Sequence, residues 1–175
     1  NAAEKARQYK LETQKDETVL FSLASLLGLE SLPERIEAFD ISNIGQEHIT
    51  AGMVVFENGK PQKSDYRSFN IKSVVGAPDD YSSMKEAISR RIKHLKSDST
   101  GSFSNYPDLL LIDGGKGHIS VVNQVLQAEN IYIPVFGMVK DDYHKTRALC
   151  TESQEINIAK EKAIYMLIYK IQEEV

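Results

Sequence analysis

Residues 107–118 read Pro-Asp-Leu-Leu-Leu-Ile-Asp-Gly-Gly-Lys-Gly-His, and this stretch decides how the remainder of the chain is organised. Leu109 to Ile112 is an apolar run without a polar face, the pattern of a strand buried on both sides of a sheet. The run stops at Asp113, three glycines follow within four residues, and a helical pattern starts near Ile119. A strand, a carboxylate at its C-terminal end, a glycine turn and a helix describe the edge of an open α/β sheet where ligands bind. An Asp-Gly pair alone is also an ordinary turn. A second strand that leads into a carboxylate, Arg35 to Ile41 with Asp40, weighs against that plainer reading.

To the N-terminal side, Ile49 to Phe56 is nearly all apolar and predicts a central strand. Asn58-Gly59 then signals a tight hairpin, because both positions of the favoured turn need positive φ. A third strand over about Lys63 to Ile71 would pair antiparallel with the second, giving a three-strand meander. Pro78-Asp79-Asp80 opens a helix carrying Tyr81, Met84, Ala87, Ile88, Ile92 and Leu95 at helical spacing. Residues 96–105 read as a solvent loop. After Asp113, a helix carries Ile119, Val122, Val125 and Leu126. Ile131 to Met138 is a short strand, placed near a sheet edge by Pro134. Residues 140–158 look irregular, with a small hairpin around Leu149. The last helix aligns Ile164, Leu167, Ile168, Ile171 and Val175. Residues 1–29 read as a linker-helix region, with a helix through Leu27 that is polar early and amphipathic from Val19 to Leu27 and Gly28 as its stop. The fold class is therefore α/β: a mixed sheet, three antiparallel strands followed by α-β-α-β-α, with helices on its faces.

The whole chain sets outer bounds. Its 175 residues suit one domain with a real core. A net charge of −4 argues against a module that grips nucleic acid through a bulk positive field. Cys150 is the single cysteine, so no intrachain disulfide forms and a reducing cytoplasm is compatible. No apolar run is long enough to cross a membrane. A first residue that is not Met, and a helical pattern still running at Val175, read as a fragment.

Chemistry concentrates on carboxylates. If the strands before Asp40 and Asp113 are neighbours, both acids project from one region of the sheet. Two carboxylates without His or Cys partners make a hard oxygen site suited to Mg²⁺ or Mn²⁺. Such an ion binds a phosphate oxygen and helps generate a hydroxide nucleophile. Asp79 and Asp80 also suit a helix cap and a dipole partner. Gly114-Gly115-Lys116-Gly117 lacks the spacer and the Ser/Thr of a nucleoside-triphosphate loop, but allows close backbone approach with Lys116 as a phosphate charge. Arg90, Arg91, Lys93, His94 and Lys96 crowd one helix end, suited either to the helix dipole or to phosphate. Lys140, His144, Lys145 and Arg147 follow the last strand, where a loop could return to the edge holding Asp113. His48, His118 and His144 have no metal-ligand spacing, and Cys150 reads as structural.

Four motifs occur in order: Ile36-Glu37-Ala38-Phe39-Asp40-Ile41-Ser42, Met53 to Pro61, Asp79-Asp80-Tyr81, and Leu111-Ile112-Asp113-Gly114-Gly115-Lys116-Gly117. Together they resemble the C-terminal nuclease domain family of UvrC, the incision subunit of the bacterial excision-repair nuclease. The resemblance covers roughly residues 30–175, with residues 1–29 similar to that family's linker helix. It implies a ribonuclease H-like fold and a divalent-metal endonuclease that cuts 5′ to a DNA lesion during nucleotide excision repair, a DNA-damage and SOS-response activity of the bacterial cytoplasm. It implies Asp40 and Asp113 as metal-site acids, Asp80 as the third carboxylate, and Mg²⁺ or Mn²⁺ as cofactor. Lys116, Arg90, Arg91 and Lys140 are the expected phosphate contacts. Expected partners are damaged DNA, UvrB directly and UvrA indirectly, with the domain monomeric and no membrane involved. The resemblance further implies a catalytic histidine and a helix-hairpin-helix module beyond Val175, and a glutamine where this chain has His118. Another ribonuclease H-like nuclease or resolvase, or a catalytically silent DNA-binding scaffold, are the competing readings; a substrate panel and a metal titration separate them.

Overall fold

A computed structural model describes residues 1–44, 48–72, 79–97, 101 and 104–175. The strands are β1 (Arg35–Ile44), β2 (His48–Glu57), β3 (Lys60–Pro61), β4 (Arg67–Asn70), β5 (Leu109–Ile112), β6 (Val135–Lys140), β7 (Thr146–Cys150) and β8 (Glu155–Asn157). The α-helices are α1 (Ala2–Leu27), α2 (Asp80–Ser97), α3 (Lys116–Ala128) and α4 (Lys162–Glu174). All eight strands share one sheet in the order β3-β2-β1-β5-β6-β7-β8, with β4 also on β2. The β1–β2 and β2–β4 pairs are antiparallel, whereas β1–β5 and β5–β6 are parallel. The expected meander leading into parallel crossovers is therefore present.

Two apolar layers sandwich the sheet. Phe39, Val55, Leu110 and Ile112 face Met84, Ile88 and Ile92 of α2 and Ile119 and Val122 of α3. Ile36, Ala38, Leu109 and Leu111 face Leu20, Leu23 and Leu27 of α1 and Ile164, Leu167, Ile168 and Ile171 of α4. Alternate residues of β1 and β5 thus serve opposite layers, which is why Leu109–Ile112 carries no polar position. Each of the Leu, Ile, Val and Phe side chains among them stabilises by roughly 1.5–3 kcal/mol when fully buried. α1 is exposed through its first turns and docks by Leu20, Leu23, Ala24 and Leu27. Gly28, at φ 69°, ends it in the left-handed region. Asn58 and Gly59 both take positive φ (52° and 82°), the turn that the sequence predicted.

Three expectations change. The third strand is shorter, because Lys63–Asp65 forms a 3-10 turn and only Arg67–Asn70 joins β2. β6 is not at an edge: it lies between β5 and β7. Pro134 precedes the strand and supplies only its carbonyl, which accepts from the Leu110 N–H at 2.9 Å, so its missing donor breaks no ladder. The 140–158 segment is more ordered than expected: the small hairpin around Leu149 is present as β7 and β8, and it extends the sheet. Pro78 and much of the loop at 96–105 lie outside the described residues.

Polar groups are buried at the start of β1. Glu37 is fully buried and receives Arg91 of α2 through Nε–Oε1 and Nη2–Oε2 contacts, both 2.8 Å. Arg35 Nε reaches the same carboxylate at 3.0 Å, and its Nη1 bonds Glu57 at 2.6 Å and Asp65 at 2.9 Å. Burial alone would lower the Arg35 pKa; the carboxylates of Asp65, Glu37 and Glu57 outweigh it and push the pKa up. The network ties β1, β2, the 3-10 turn and α2 together.

Candidate active site

The opposite end of β1 holds the candidate chemistry. Phe39 pairs with Ile112 across the parallel β1–β5 ladder, and the Asp113 N–H donates to the Phe39 carbonyl at 2.9 Å. One step further along both strands, Asp40 and Asp113 stand side by side. Each follows a residue packed under α2 and α3, so strand alternation turns both carboxylates to the other face. Gly52 opposes Asp40 on β2 and leaves that flank open.

The Asp40 pKa is pushed up to about 6, first by burial and then by the adjacent Asp113, which repels its charge and is close enough to share a proton. Lys140, at the end of β6, places Nζ 2.9 Å from Asp113 Oδ2, with both side chains partly exposed. Lys140 and the Ile41 N–H pull the Asp40 pKa the other way without cancelling the rise. The site therefore keeps two carboxyls against a single cation. That excess of hard oxygen charge is what a divalent cation relieves. Mg²⁺ characteristically takes one or two carboxylates and fills its remaining positions with water and phosphate oxygen, and this donor pair fits that need. Among the described residues, no three of His, Cys, Asp and Glu converge to hold a metal.

Asp80 accordingly does not join Asp40 and Asp113 in one cluster. It is exposed in the first turn of α2, on an element packed against the opposite layer. Its neighbour Tyr81 does reach the glycine turn: the Tyr81 and His118 rings meet edge to face with centroids 4.7 Å apart. Asp79 is a capping residue, its Oδ1 accepting from the Tyr81 and Ser82 N–H groups at 3.1 and 3.3 Å. The Ser82 hydroxyl and those N–H groups hold its carboxyl below the usual range.

Close packing explains the glycines. A Cβ on Gly114 would meet the His118 ring at 2.6 Å, and one on Gly117 would meet the Tyr81 hydroxyl at 2.5 Å. Gly137 of β6 lies so close that a Cβ there would stand 2.5 Å from the Gly114 carbonyl oxygen. The turn after Asp113 is thus walled by three elements. Lys116 opens α3, and Gly115 at the N-cap offers no side-chain acceptor to the first-turn N–H groups. A positive helix end therefore carries a lysine three residues after Asp113, an arrangement suited to an anion.

The other expected phosphate residues separate. Arg91 is 1% exposed and occupied by Glu37 and the Asn105 carbonyl, so it is a support of the core and does not serve phosphate. Arg90 bonds the Asn70 carbonyl at 2.6 Å and lies over the Phe69 ring. Lys96 pairs with Glu129, Arg147 with Glu155, and Lys145 sits over Tyr169. Of Lys140, His144, Lys145 and Arg147, only Lys140, at the end of β6, bonds Asp113. The sequence reading missed that ion pair and the buried Arg35–Glu37–Arg91 group. A signal for the latter existed: Arg35 and Glu37 are charged residues at the alternate positions that Phe39 and Ile41 continue as an apolar face.

A mixed sheet with a meander joined to parallel crossovers, helices on both faces and paired acids on adjacent central strands defines a ribonuclease H-like nuclease domain. The model of the UvrC RNase H endonuclease domain matches residues 24–175, and the chain belongs to that family. It is 44% identical over its whole length to the UvrABC system protein C of Clostridium novyi. It is 46% identical over 94% of its length to the protein of that name from Clostridium perfringens. The chain spans 30% and 28% of the length of those two relatives. Among solved structures, an endonuclease V of Ciona intestinalis in complex with inosine-containing DNA is 18% identical, with a TM-score of 0.46 over 78% of this chain and 59% of that one.

Proposed function

We propose that this chain is a metal-dependent endodeoxyribonuclease domain that makes the incision 5′ to a lesion in bacterial nucleotide excision repair. The observation that carries the reading is the pair Asp40 and Asp113 on adjacent strands, with Asp40 raised to about 6 and Lys140 the only cation bonded to either among the contacts described. Asp40 and Asp113 would hold Mg²⁺ or Mn²⁺. When bound, that ion polarises the phosphodiester and lowers the pKa of an attacking water. The chain's own residues do the remainder. Lys116 and the first turn of α3 orient a phosphate at the edge. Lys140 holds the Asp113 carboxylate in place through its ion pair. His118 and Tyr81 brace the glycine turn so that Asp113 stays aligned. Asp80, exposed in the first turn of α2, serves from the rim rather than as a third ligand of the pair. Residues 1–29 act as a linker helix and residues 30–175 as the nuclease unit, with damaged DNA and the excision-repair subunits UvrB and UvrA as partners.

A domain graft tests this. The chain replaces the matching segment of a curated relative, and incision of a lesion-bearing duplex is followed with the other subunits present. A 5′ cut that needs Mg²⁺ or Mn²⁺ and disappears with Asp113→Asn supports the reading. A 5′ cut that survives both Asp40→Asn and Asp113→Asn overturns it, as does a panel in which four-way junctions are cut and damaged duplex is not.

A further inference from the structure

At the end of the molecule away from Asp40, α1 and α4 leave a slot of about 370 Å³ between them, closed by Gly59 of the β2–β3 turn. Its floor is apolar: Val19, Ala163, Met166 and Leu167. Leu167 belongs to the core, whereas Met166 is 44% exposed, an unusual place for a large apolar side chain. Lys15, Lys162 and Lys170 stand around this floor. None of the three has an ion-pair partner among the described residues, and the single rim carboxylate, Asp16, already has Lys60 at 3.8 Å. Lys162, Met166 and Lys170 recur at i, i+4 and i+8, so they form one ridge of α4, and Lys15 and Val19 repeat the i, i+4 step on α1.

We infer that this slot docks an acidic amphipathic helix of a partner protein. Two helices with a trough between them receive the ridge of a third. An apolar residue inserted over Val19 and Leu167 would cover Met166, whose unbranched thioether adapts to varied partners. Acidic residues a turn to either side would meet Lys15, Lys162 and Lys170. The charge argument favours an acidic partner because the patch is basic on a chain with net charge −4. Nucleic acid is the poorer match. The lysines flank an apolar floor without a stacking aromatic, and the slot adjoins the Arg35–Glu57 end of β1. Asp40 is five residues further along that strand, about 17 Å at roughly 3.4 Å per residue. The inference does not depend on the nuclease reading.

The test titrates the chain into a labelled, helix-stapled 16-residue peptide with leucines at every third and fourth position and glutamates beside them, read by fluorescence anisotropy. A shuffled peptide of the same composition and a short DNA duplex are run in parallel. Binding at micromolar concentration is expected, weakening with salt. It should fall at least tenfold in Lys15→Glu/Lys170→Glu and in Met166→Glu, with thermal midpoints unchanged because these side chains are exposed. Four results would overturn the inference: no binding at millimolar peptide, equal binding of the shuffled peptide, DNA binding lost in the same variants, or a chain dimer that Met166→Glu dissociates.

Discussion

The two ends of β1 treat negative charge in opposite ways. At the start of the strand, Glu37 is fully buried, yet two arginines take its oxygens and Arg35 is shared onward with Glu57 and Asp65. Removing one member would loosen the tie between β1, β2, the 3-10 turn and α2, but nothing in the group is left wanting a ligand. At the other end, Asp40 is less buried, but its nearest charged neighbour is another carboxylate, and one lysine serves the pair. Burial alone therefore does not mark a functional acid. What distinguishes the two is whether the folded chain supplies enough positive charge, and a shortfall left beside a glycine turn is where an external cation belongs.

Changes at the two ends should accordingly separate function from stability. The largest effect expected is on incision: Asp113→Asn or Asp40→Asn in the graft should lower the rate about a thousandfold or more, roughly 4 kcal/mol of barrier, while urea unfolding shows no loss of stability. If either variant unfolds instead, the acids are supports and the contrast collapses. Next, Arg91→Ala leaves Glu37 buried with one arginine. About 3–5 kcal/mol of stability should disappear from the urea midpoint, since breaking a buried pair strands a charge. A loss below about 1 kcal/mol would mean that water already reaches that carboxylate. Gly137→Ala sharpens the comparison from the side of packing. Its Cβ would stand 2.5 Å from the Gly114 carbonyl oxygen, a backbone atom, so a loss of roughly 1–3 kcal/mol is expected.

The smallest effect concerns pH. Asp40 holds its proton more tightly in the fold than in the unfolded chain, so its contribution favours the fold at low pH and is lost as pH rises through about 6. In EDTA, Asp40→Asn should match the parent near pH 3.5 and exceed it by about 1 kcal/mol at pH 8, after allowing for solvent screening of a partly exposed group. An advantage at acid pH that vanishes at pH 8 would reverse the assigned sign.

Much of this was legible in the residues. The unbroken apolar run Leu109–Ile112, the alternation in β1 and the Asn58-Gly59 turn express local rules, and the fold follows them. Asp40 and Asp113 were legible as a candidate pair because two predicted strands run into carboxylates; their equal height is set by the β1–β5 register. What escaped was set by distant contacts. Pro134 suggested an edge, since the sequence does not reveal that its carbonyl alone would face β5. Arg90 and Arg91 are adjacent and chemically alike, yet helix geometry turns one over Phe69 and the other into the core toward Glu37. Asp80 was grouped with the other acids by motif, but its helix packs on the opposite layer. His118 carried no metal spacing, and its role as a wall over Gly114 depends on the turn closing beneath it.

The buried charges at the start of β1 also bear on time. Their partners are separated by 22, 30, 54 and 73 residues along the chain, the last through the Arg35 N–H and Asp108. No local segment can assemble them, so loop closure must precede the contacts that reward it. Contacts completed after the rate-limiting step leave the folding rate nearly unchanged and act on escape from the native state. The Arg35–Glu37–Arg91 group is thus expected to set how long the domain stays folded more than how fast it folds. Arg91→Ala should steepen susceptibility to protease by quickening unfolding, with the refolding limb almost unmoved.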